Sequence, residues 1–315
     1  MAGGLSAAGG TVSGMPELPE VDALGAFLRE RTASRVFVAA HVAQIGALKT
    51  FAPPLDDVIG RGVVGVQRYG KWLALGLGPR GEIEPTTAEV FLVFHLAKAG
   101  WLRWKEEMPP SSTPKGRPMG RAAGPLALRL WLDDGSGFDL TEAGTRKRLA
   151  VHIVTDPVSI APIASLGFDP MTELTTQALT LALTTRNQQI KGALRDQSLI
   201  AGIGNAYSDE ILHAAHLSPF ALTRSLDEAA IERLAESITE ILTSAVTQAS
   251  GKPAAELKDS KRRGMAVHGR TGQACPVCGD VVREVSFADR SLQYCATCQT
   301  GGVPLADRRM SKLLR

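Results

Sequence analysis

All four cysteines of this chain lie in one short segment near its C-terminal end. They form two C-x-x-C pairs separated by 16 residues: Cys275 with Cys278, and Cys295 with Cys298. Four thiolates at this spacing can surround one Zn²⁺ ion tetrahedrally, and the metal replaces a core that so short a segment cannot build. Two disulfides are the alternative, but the rest of the chain contains no cysteine and no visible export signal. The pattern therefore predicts one structural zinc ion and a reducing, cytoplasmic location.

The remaining sequence divides into a strand-rich first half and a helical second half. Apolar residues between Glu20 and Arg31 recur at helical spacing. Short apolar or alternating runs then predict a two-layer β structure, with strands within residues 36–38, 63–77, 90–96, 126–132 and 149–154. Residues 109–125 have the composition of a loop, and beyond a connection near 162–170 the spacing becomes helical. Two strand-like runs in the zinc segment predict a β-hairpin. We therefore expect an α+β fold in three parts.

The charges are concentrated near the C-terminal end. The whole chain has a formal net charge of +3, whereas residues 251–315 contain 12 Lys and Arg against 6 Asp and Glu. A basic segment of this kind fits a polyanionic partner such as nucleic acid, or a solvated basic surface. No apolar run approaches the roughly eighteen residues of a membrane span. We therefore expect no membrane partner.

The hexapeptide Met15-Pro16-Glu17-Leu18-Pro19-Glu20 suggests chemistry at the start of the chain. If Met15 is the true start and is removed, Pro16 carries a free secondary amine beside Glu17. An α-amine has a pKa of about 8, so on the order of a tenth is uncharged and nucleophilic near neutral pH. The alternative is a Pro-rich entry into a helix, with Glu20 near its positive end. Residues 1–14 are then a flexible extension or a mis-assigned start.

Two helical regions carry further features. One helix ends near Asp196, and a glycine-bearing turn leads into a second helix with Tyr207, Ile211 and Ala215 on one face. The segment from Gly202 to Asn205 could offer backbone N–H groups and an amide to a phosphate, or it could serve only as a turn and helix cap. A capping box starting at Ser225 predicts a third helix with an apolar stripe formed by Ile231, Leu234, Ile238 and Leu242.

Three basic residues are further candidates for functional side chains. By strand alternation Lys71 shares a face with Leu73 and Leu75, which is costly unless the lysine is paired or lies near water at a cleft. Lys98 follows a predicted strand, and Arg290 stands where a metal-fixed hairpin could project it rigidly. The alternative for each is an ordinary solvated charge.

Together these features resemble the formamidopyrimidine-DNA glycosylase / endonuclease VIII family, from Met15 to Thr300. The resemblance rests on MPELPEV at 15–21, VQRYGKWLAL at 66–75, IKGALRDQSLIAGIGNAYSDEIL at 190–212, and the four-cysteine finger with Arg290. It implies three domains between an N-terminal extension (1–14) and a basic tail (301–315). These are a catalytic β-sandwich domain (15–160), a helical helix–two-turn–helix DNA-binding domain (170–262) and a zinc finger with a β-hairpin (266–300).

The resemblance also implies an activity and roles for single residues. The protein is expected to be a monomeric, bifunctional DNA glycosylase and AP lyase of base excision repair, acting on duplex DNA with damaged bases or abasic sites. Pro16 would attack C1′ and form an imine, and β/δ-elimination would follow. Glu17 would supply a proton to open the sugar, with support from Glu20. The remaining roles are contacts with the DNA backbone, assigned to Lys71, Lys191, Asn205 and Arg290; Lys71 and Arg290 would also assist the eliminations.

The sequence departs from the family pattern in two segments. The usual His-Leu-Gly-Met-Ser-Gly reads His-Leu-Ala-Lys-Ala-Gly at 95–100, so Lys98 replaces a methionine that enters the DNA stack. We expect Lys98 to contact the orphaned base or the single strand. The usual Arg-Arg-Phe is not clear in 145–149, and the preferred lesion therefore cannot be transferred from relatives.

Two functions of other classes remain as alternatives. One is a non-catalytic, zinc-dependent binder of damaged or branched DNA, which retention of residues 1–14 would favour because an acylated proline nitrogen cannot form an imine. The other is a zinc-ribbon regulator that binds one undamaged sequence, although no recognition helix is evident. The tail 301–315 could add non-specific DNA contact or be a flexible end.

Overall fold

The structure is a computed structural model, and it describes residues 15–82, 84–110, 125–287 and 291–306. It opens with helix α1 (Leu18–Thr32), which confirms the helical spacing found in the sequence. Pro19 lies in the first turn, where a missing N–H costs nothing. The backbone N–H of Glu17 donates to Glu20 Oε2 at 2.8 Å. The Pro-rich helix entry is therefore present, and both glutamates belong to it.

The N-terminal region is a β-sandwich, as predicted. The first sheet has the order β2-β3-β4-β8, with β2 (Arg61–Tyr69), β3 (Trp72–Arg80), β4 (Val90–His95) and β8 (Ala150–Val154). The second has the order β1-β6-β7-β5, with β1 (Phe37–Val42), β6 (Leu126–Leu132), β7 (Gly137–Glu142) and β5 (Gly100–Lys105). All pairings within these two sheets are antiparallel. Side chains of both sheets, such as Leu75 and Phe138, share one core.

Two details of the sheets differ from the prediction. The run 63–77 is not one strand, because a tight turn at Gly70 and Lys71 separates β2 from β3, and Gly70 has a φ of +54°. Lys71 therefore lies in this turn and not within a strand. The prediction also missed β5 after Lys98. Both Trp101 and Leu102 in β5 are buried, so the strand lacks the polar alternation by which a half-exposed strand is recognised.

The helical region follows the sandwich. Its helices are α2 (Ala161–Ala164), α3 (Thr176–Thr184), α4 (Ile190–Arg195), α5 (Asn205–Ala214), α6 (Glu228–Ala249) and α7 (Leu257–Gly264). The predicted stripe of α6 is buried in a second core, together with Tyr207 and Ile211 of α5. Helix α1 joins the two cores, since Leu18 belongs to the second while Val21 and Leu24 belong to the first. The segment around Glu17 thus lies where the sandwich meets the helices.

The predicted capping box of α6 is wrong by two residues. Asp227 is the N-cap, and its side chain accepts a hydrogen bond from Ala230 N at 2.8 Å. Ser225 lies in a preceding 3₁₀ turn, where its hydroxyl donates to Leu222 O at 2.8 Å. Ser225 precedes the N-cap by two residues, so its hydroxyl does not cap the helix.

The zinc segment forms the predicted hairpin, with β9 (Val282–Ser286) antiparallel to β10 (Ser291–Cys295) and followed by α8 (Ala296–Thr300). One of its contacts with the helical region runs through Gln299, whose Nε2 donates to Leu217 O at 2.9 Å. Across the described ranges, none of the helices has the length and apolar character needed to cross a membrane.

Candidate functional site

The Glu17 carboxylate occupies the N-terminal end of α5. Its Oε1 accepts the backbone N–H of Ala206 at 2.9 Å, and its Oε2 accepts that of Tyr207 at 3.3 Å. A Cβ on Gly204 would lie 2.3 Å from Cδ of Glu17, so only glycine permits this approach. Gly202 has a φ of +91°, and its carbonyl accepts the N–H of Leu18 at 3.0 Å. The two glycines therefore admit α1 and Glu17, and the Glu17 carboxylate takes the N–H groups of Ala206 and Tyr207.

Lys261, on α7, connects the two glutamates and the residue before Pro16. Its Nζ lies 2.8 Å from Glu20 Oε2 and 3.5 Å from Glu17 Oε1, and it donates to Met15 O at 3.3 Å. It also lies 4.7 Å from the ring centroid of Tyr207, whose hydroxyl donates to Glu20 Oε1 at 2.6 Å. Pro16 itself is buried. Charged and polar groups from α1, α5 and α7 therefore meet near the Met15–Pro16 peptide bond.

Glu17 is ionised at neutral pH. Burial alone would raise the pKa of its carboxyl, but the charges of Lys261 and Lys71, with the Ala206 N–H, lower the pKa to about 2. The side chain is nevertheless almost wholly buried, at 3% exposure. Glu17 can therefore donate a proton only after it has accepted one from a reacting group.

Lys71 lies near the same carboxylate, on the turn between β2 and β3. Its Nζ donates to Ile203 O at 2.9 Å, in the turn before α5. Burial lowers the pKa of the ammonium to about 8, while the nearby Glu17 carboxylate partly opposes this. The sequence left open whether Lys71 is paired at a cleft or reaches solvent. The structure gives it a carbonyl partner and a place beside Glu17.

The structure places Lys191 in the interior. Its Nζ lies 2.6 Å from Asp209 Oδ1, 2.8 Å from Ser208 Oγ and 3.1 Å from Asn205 O, and the residue is 6% exposed. An ammonium has three donors, and all three are used. Lys191 therefore holds α4 against α5, a position from which it does not reach outward to DNA.

Asn205 is the first residue of α5, after the N-cap Gly204. Its Nδ2 donates to Ser291 O in the zinc hairpin at 2.9 Å. Its Oδ1 is buried and has no hydrogen-bond partner within the described part of the chain. The side chain thus links the helical region to the hairpin and keeps one acceptor unsatisfied.

Lys98 is an exposed residue in the turn between β4 and β5. The turn depends on Ala97, which has a φ of +55° and donates its N–H to His95 Nδ1 at 3.2 Å. Burial and the charge of Lys71 lower the pKa of His95 to about 4, so this imidazole is neutral. The ammonium of Lys98 is therefore presented to solvent by a well-defined turn.

Several predicted features lie outside the described residues. They include Arg290, the extension 1–14, most of the loop predicted at 109–125, and the tail from residue 307.

The four cysteines form one cluster, as predicted. Their Sγ atoms all lie within 4.8 Å of one another, with 3.3 Å between Cys278 and Cys295 and 3.9 Å between Cys275 and Cys298. None is in a disulfide, which would require an S–S distance of about 2.05 Å. Four thiols around one centre fit the preference of Zn²⁺ for tetrahedral sulfur ligands. These residues are therefore suited to hold a zinc ion.

Sequence reasoning missed Lys261 and two acidic residues of α5. Asp209 Oδ2 lies 2.7 Å from His268 Nδ1, and the Glu210 carboxylate accepts the backbone N–H groups of three successive residues, 266–268. The sequence did contain an indication for Asp209 and Glu210, because two adjacent carboxylates in a helix with a buried apolar stripe need hydrogen-bond or ionic partners. Lys261 gave no such signal, since it lies in a run of basic residues typical of a solvated surface.

Comparison with known proteins finds a match in each of the three parts of the chain. Three protein-family descriptions apply: the formamidopyrimidine-DNA glycosylase N-terminal domain over 15–147, the formamidopyrimidine-DNA glycosylase H2TH domain over 166–255, and the zinc finger found in FPG and IleRS over 272–301. The formamidopyrimidine-DNA glycosylase of Symbiobacterium thermophilum is 32% identical, over 94% of this chain and 93% of that protein. An uncharacterized formamidopyrimidine-DNA glycosylase-like protein of Mycobacterium tuberculosis is 54% identical over 48% of this chain and 95% of its own length.

Solved structures agree with these matches. The MutM (FPG) protein of Thermus thermophilus superposes with a TM-score of 0.72 at 28% identity, covering 92% of this chain and 100% of that one. MutM in complex with carbocyclic 8-oxo-G containing DNA gives a TM-score of 0.75 at 24% identity, with coverage of 90% and 100%. The second likeness concerns the fold alone.

Proposed function

Because the chain belongs to the formamidopyrimidine-DNA glycosylase family, we propose that it is a bifunctional DNA glycosylase and AP lyase that removes oxidised bases from duplex DNA. The observation that carries this proposal is the burial of Pro16 beside an ionised Glu17 and two lysines. A structural role alone would not require a proline at a junction with so many charges.

The proposed chemistry begins at the Pro16 nitrogen after removal of Met15. Its lone pair bonds to C1′ of the damaged nucleotide while the bond between C1′ and the base breaks; the base leaves with the electron pair of that bond and takes a proton from water, and the nitrogen's proton passes to the Glu17 carboxylate. The nitrogen lone pair then expels the sugar ring oxygen, which takes that proton from Glu17 and leaves an iminium ion. Glu17 is thus a proton relay, which agrees with its ionised resting state.

The other predicted residues support this step. Glu20 orients Glu17 through the Glu17 N–H and contacts Lys261. Lys71 would bind the phosphate at the lesion and assist β-elimination, and Arg290 would act likewise from the hairpin in the second elimination. Asn205 would contact the backbone through its Nδ2 donor, which in this structure is directed at Ser291 O. Lys98 would contact the bases from its exposed turn.

The zinc ion would stabilise the fold of the finger and would take no part in the reaction. Cys275, Cys278, Cys295 and Cys298 would hold a single Zn²⁺, which fixes the hairpin and its contact to Asn205. We further propose that the protein acts as a monomer in the cytoplasm, bound to DNA. The free thiols are compatible with a reducing compartment.

An incision panel tests the proposal. A chain beginning at Pro16 is incubated with duplex and single-stranded oligonucleotides that each contain one oxidised purine, one oxidised pyrimidine or one abasic site. We expect strand cleavage at one or more lesions, and a Glu17→Gln variant that releases the base about 10² to 10⁴-fold more slowly, because the amide cannot relay a proton. Glu236→Gln, on the outer side of α6, serves as the matched control. Tight binding without cleavage of any substrate would instead support the non-catalytic binder.

The pH dependence gives a second expected result. Binding of a phosphate needs the charged form of Lys71, which is lost as the pH rises through its pKa of about 8. Attack needs the neutral form of the Pro16 amine, which is gained as the pH rises on the acid side of the profile. We therefore expect a bell-shaped profile of kcat/KM on abasic-site duplex between about pH 6 and 10, because kcat/KM reports the free enzyme. A Lys71→Arg variant keeps its charge and should lose the alkaline fall; an unchanged alkaline fall would contradict the role of Lys71.

A further inference from the structure

Lys261 is held beside the nitrogen that the proposed reaction uses. Its Nζ lies 3.3 Å from the carbonyl oxygen of Met15, and that oxygen belongs to the same peptide group as the nitrogen of Pro16. The oxygen and nitrogen of one peptide group are about 2.3 Å apart, so Nζ cannot lie farther than about 5.6 Å from the Pro16 nitrogen. Two glutamates fix the ammonium in this position, at 2.8 Å and 3.5 Å.

The position of Lys261 differs from that of the other cations on α7. The side chain of Lys261 is 10% exposed, whereas Arg262 and Arg263 are exposed. Lys258, one turn earlier, lies 4.4 Å from the ring centroid of Trp101 and has no contact with the glutamates in the described structure. A solvated basic surface therefore explains the neighbours of Lys261 but not Lys261 itself.

The charged groups around Glu17, the residue next to Pro16, balance one another. Glu17 and Glu20 of α1 contribute two negative charges, Lys71 and Lys261 contribute two positive charges, and Tyr207 stays neutral because burial and Glu20 raise its pKa well above the usual value. His268, in the loop after α7, also acts on Glu17 when it is protonated. Without Lys261 the two glutamates and Lys71 would leave a net charge of −1 beside the amine.

We propose that Lys261 is a positioning residue for the Pro16 amine, whose fixed positive charge keeps that amine uncharged and therefore nucleophilic near neutral pH. The inference rests on the proposed function. Removal of Met15 frees the third donor of Lys261, and only a neutral amine can accept a hydrogen bond from it. A like charge within about 6 Å also disfavours protonation of the amine. Both effects act on the nucleophile without any contact between Lys261 and DNA.

The test measures the protonation of Pro16 directly. A chain that begins at Pro16 is labelled with ¹³C-proline, and the Pro16 resonance is assigned by its loss in a Pro16→Gly chain. We expect the midpoint of its pH titration to rise by about 1 to 2 pH units in Lys261→Met. The rate of borohydride trapping on abasic-site DNA at about pH 7 should fall about 10 to 100-fold in parallel. Lys261→Arg should keep the original midpoint.

Lys258→Met is the matched control, because it removes a lysine from the same helix and leaves the glutamates in place. An unchanged midpoint in Lys261→Met, or an equal rise in Lys258→Met, would overturn the proposal. Should Lys261→Met fail to fold or to bind zinc, Lys261→Gln is measured with the same criteria. A midpoint that rises in a protein that traps no DNA would contradict the lyase function alone, while trapping with a constant midpoint would contradict the role of Lys261 alone.

Discussion

A chain that begins at Pro16 is expected to form a borohydride-trapped cross-link with abasic-site DNA on the order of 10³-fold faster than a chain that retains residues 1–15. In the longer form the Pro16 nitrogen is part of a peptide bond, and its lone pair is delocalised into the carbonyl. Such a nitrogen neither attacks C1′ nor forms an imine. In the shorter form about a tenth of the amine is uncharged near pH 7 even if its pKa has the ordinary value of about 8.

Identification of the cross-linked peptide by mass spectrometry decides which amine reacts. Lys71 is the natural competitor, because its pKa of about 8 makes it partly neutral at the pH of the assay and it lies beside the same carboxylate. A Lys71→Arg variant of the shorter chain should still trap DNA through Pro16, at a reduced rate. A cross-link on Lys71, or full incision by the longer chain, would show that the nucleophile is not Pro16. N-terminal sequencing of the native protein reports which form the cell makes.

Removal of zinc should abolish incision while leaving the two main cores folded. The finger has only two small clusters of buried side chains in the described part of the chain. One joins Val267 and Val282 to Cys275 and Cys295, and the other, in the hairpin, consists of Val285, Leu292, Tyr294 and Ala296. Structural Zn²⁺ supplies about 10 to 16 kcal/mol of apparent binding free energy at neutral pH, which here is folding free energy of the finger. Loss of the hairpin also removes the contact between Asn205 and Ser291. We expect DNA binding to weaken by a factor of about 100 or more, by analogy with the dependence of other small zinc domains on their metal.

The experiment uses Cys278→Ser beside Val277→Ala, a neighbour whose side chain is 65% exposed and should tolerate the change. Native mass spectrometry should find one zinc ion in the parent and in Val277→Ala, and none in Cys278→Ser. Thermal unfolding should show that the sandwich and the helical core keep their transition. A folded, active protein without metal would refute the zinc assignment.

Local sequence patterns sufficed for the features that depend on near neighbours in the chain. The spacing of apolar residues in α1 and α6, the break after Asp196, and the two cysteine pairs each describe contacts within a few turns or one metal site. Such features depend on backbone geometry and ligand chemistry, and both can be inferred from the residues of a short segment. The strand β5 was missed because its burial on both faces comes from elements distant in the chain.

The charged groups of the site were decided by the tertiary structure. From the sequence, Lys191 and Lys261 both resemble surface cations. In the structure Lys191 forms a buried ion pair with Asp209 in the helical region, and Lys261 lies between Glu17 and Glu20. The glycines before α5 likewise admit a carboxylate from a distant part of the chain. A buried charge is stable only with partners, and those partners come from segments that meet after folding. The sequence therefore determines which residue types are available at this site. Which of them form pairs, and which are protonated, follows from the packing of α1 against α5 and α7.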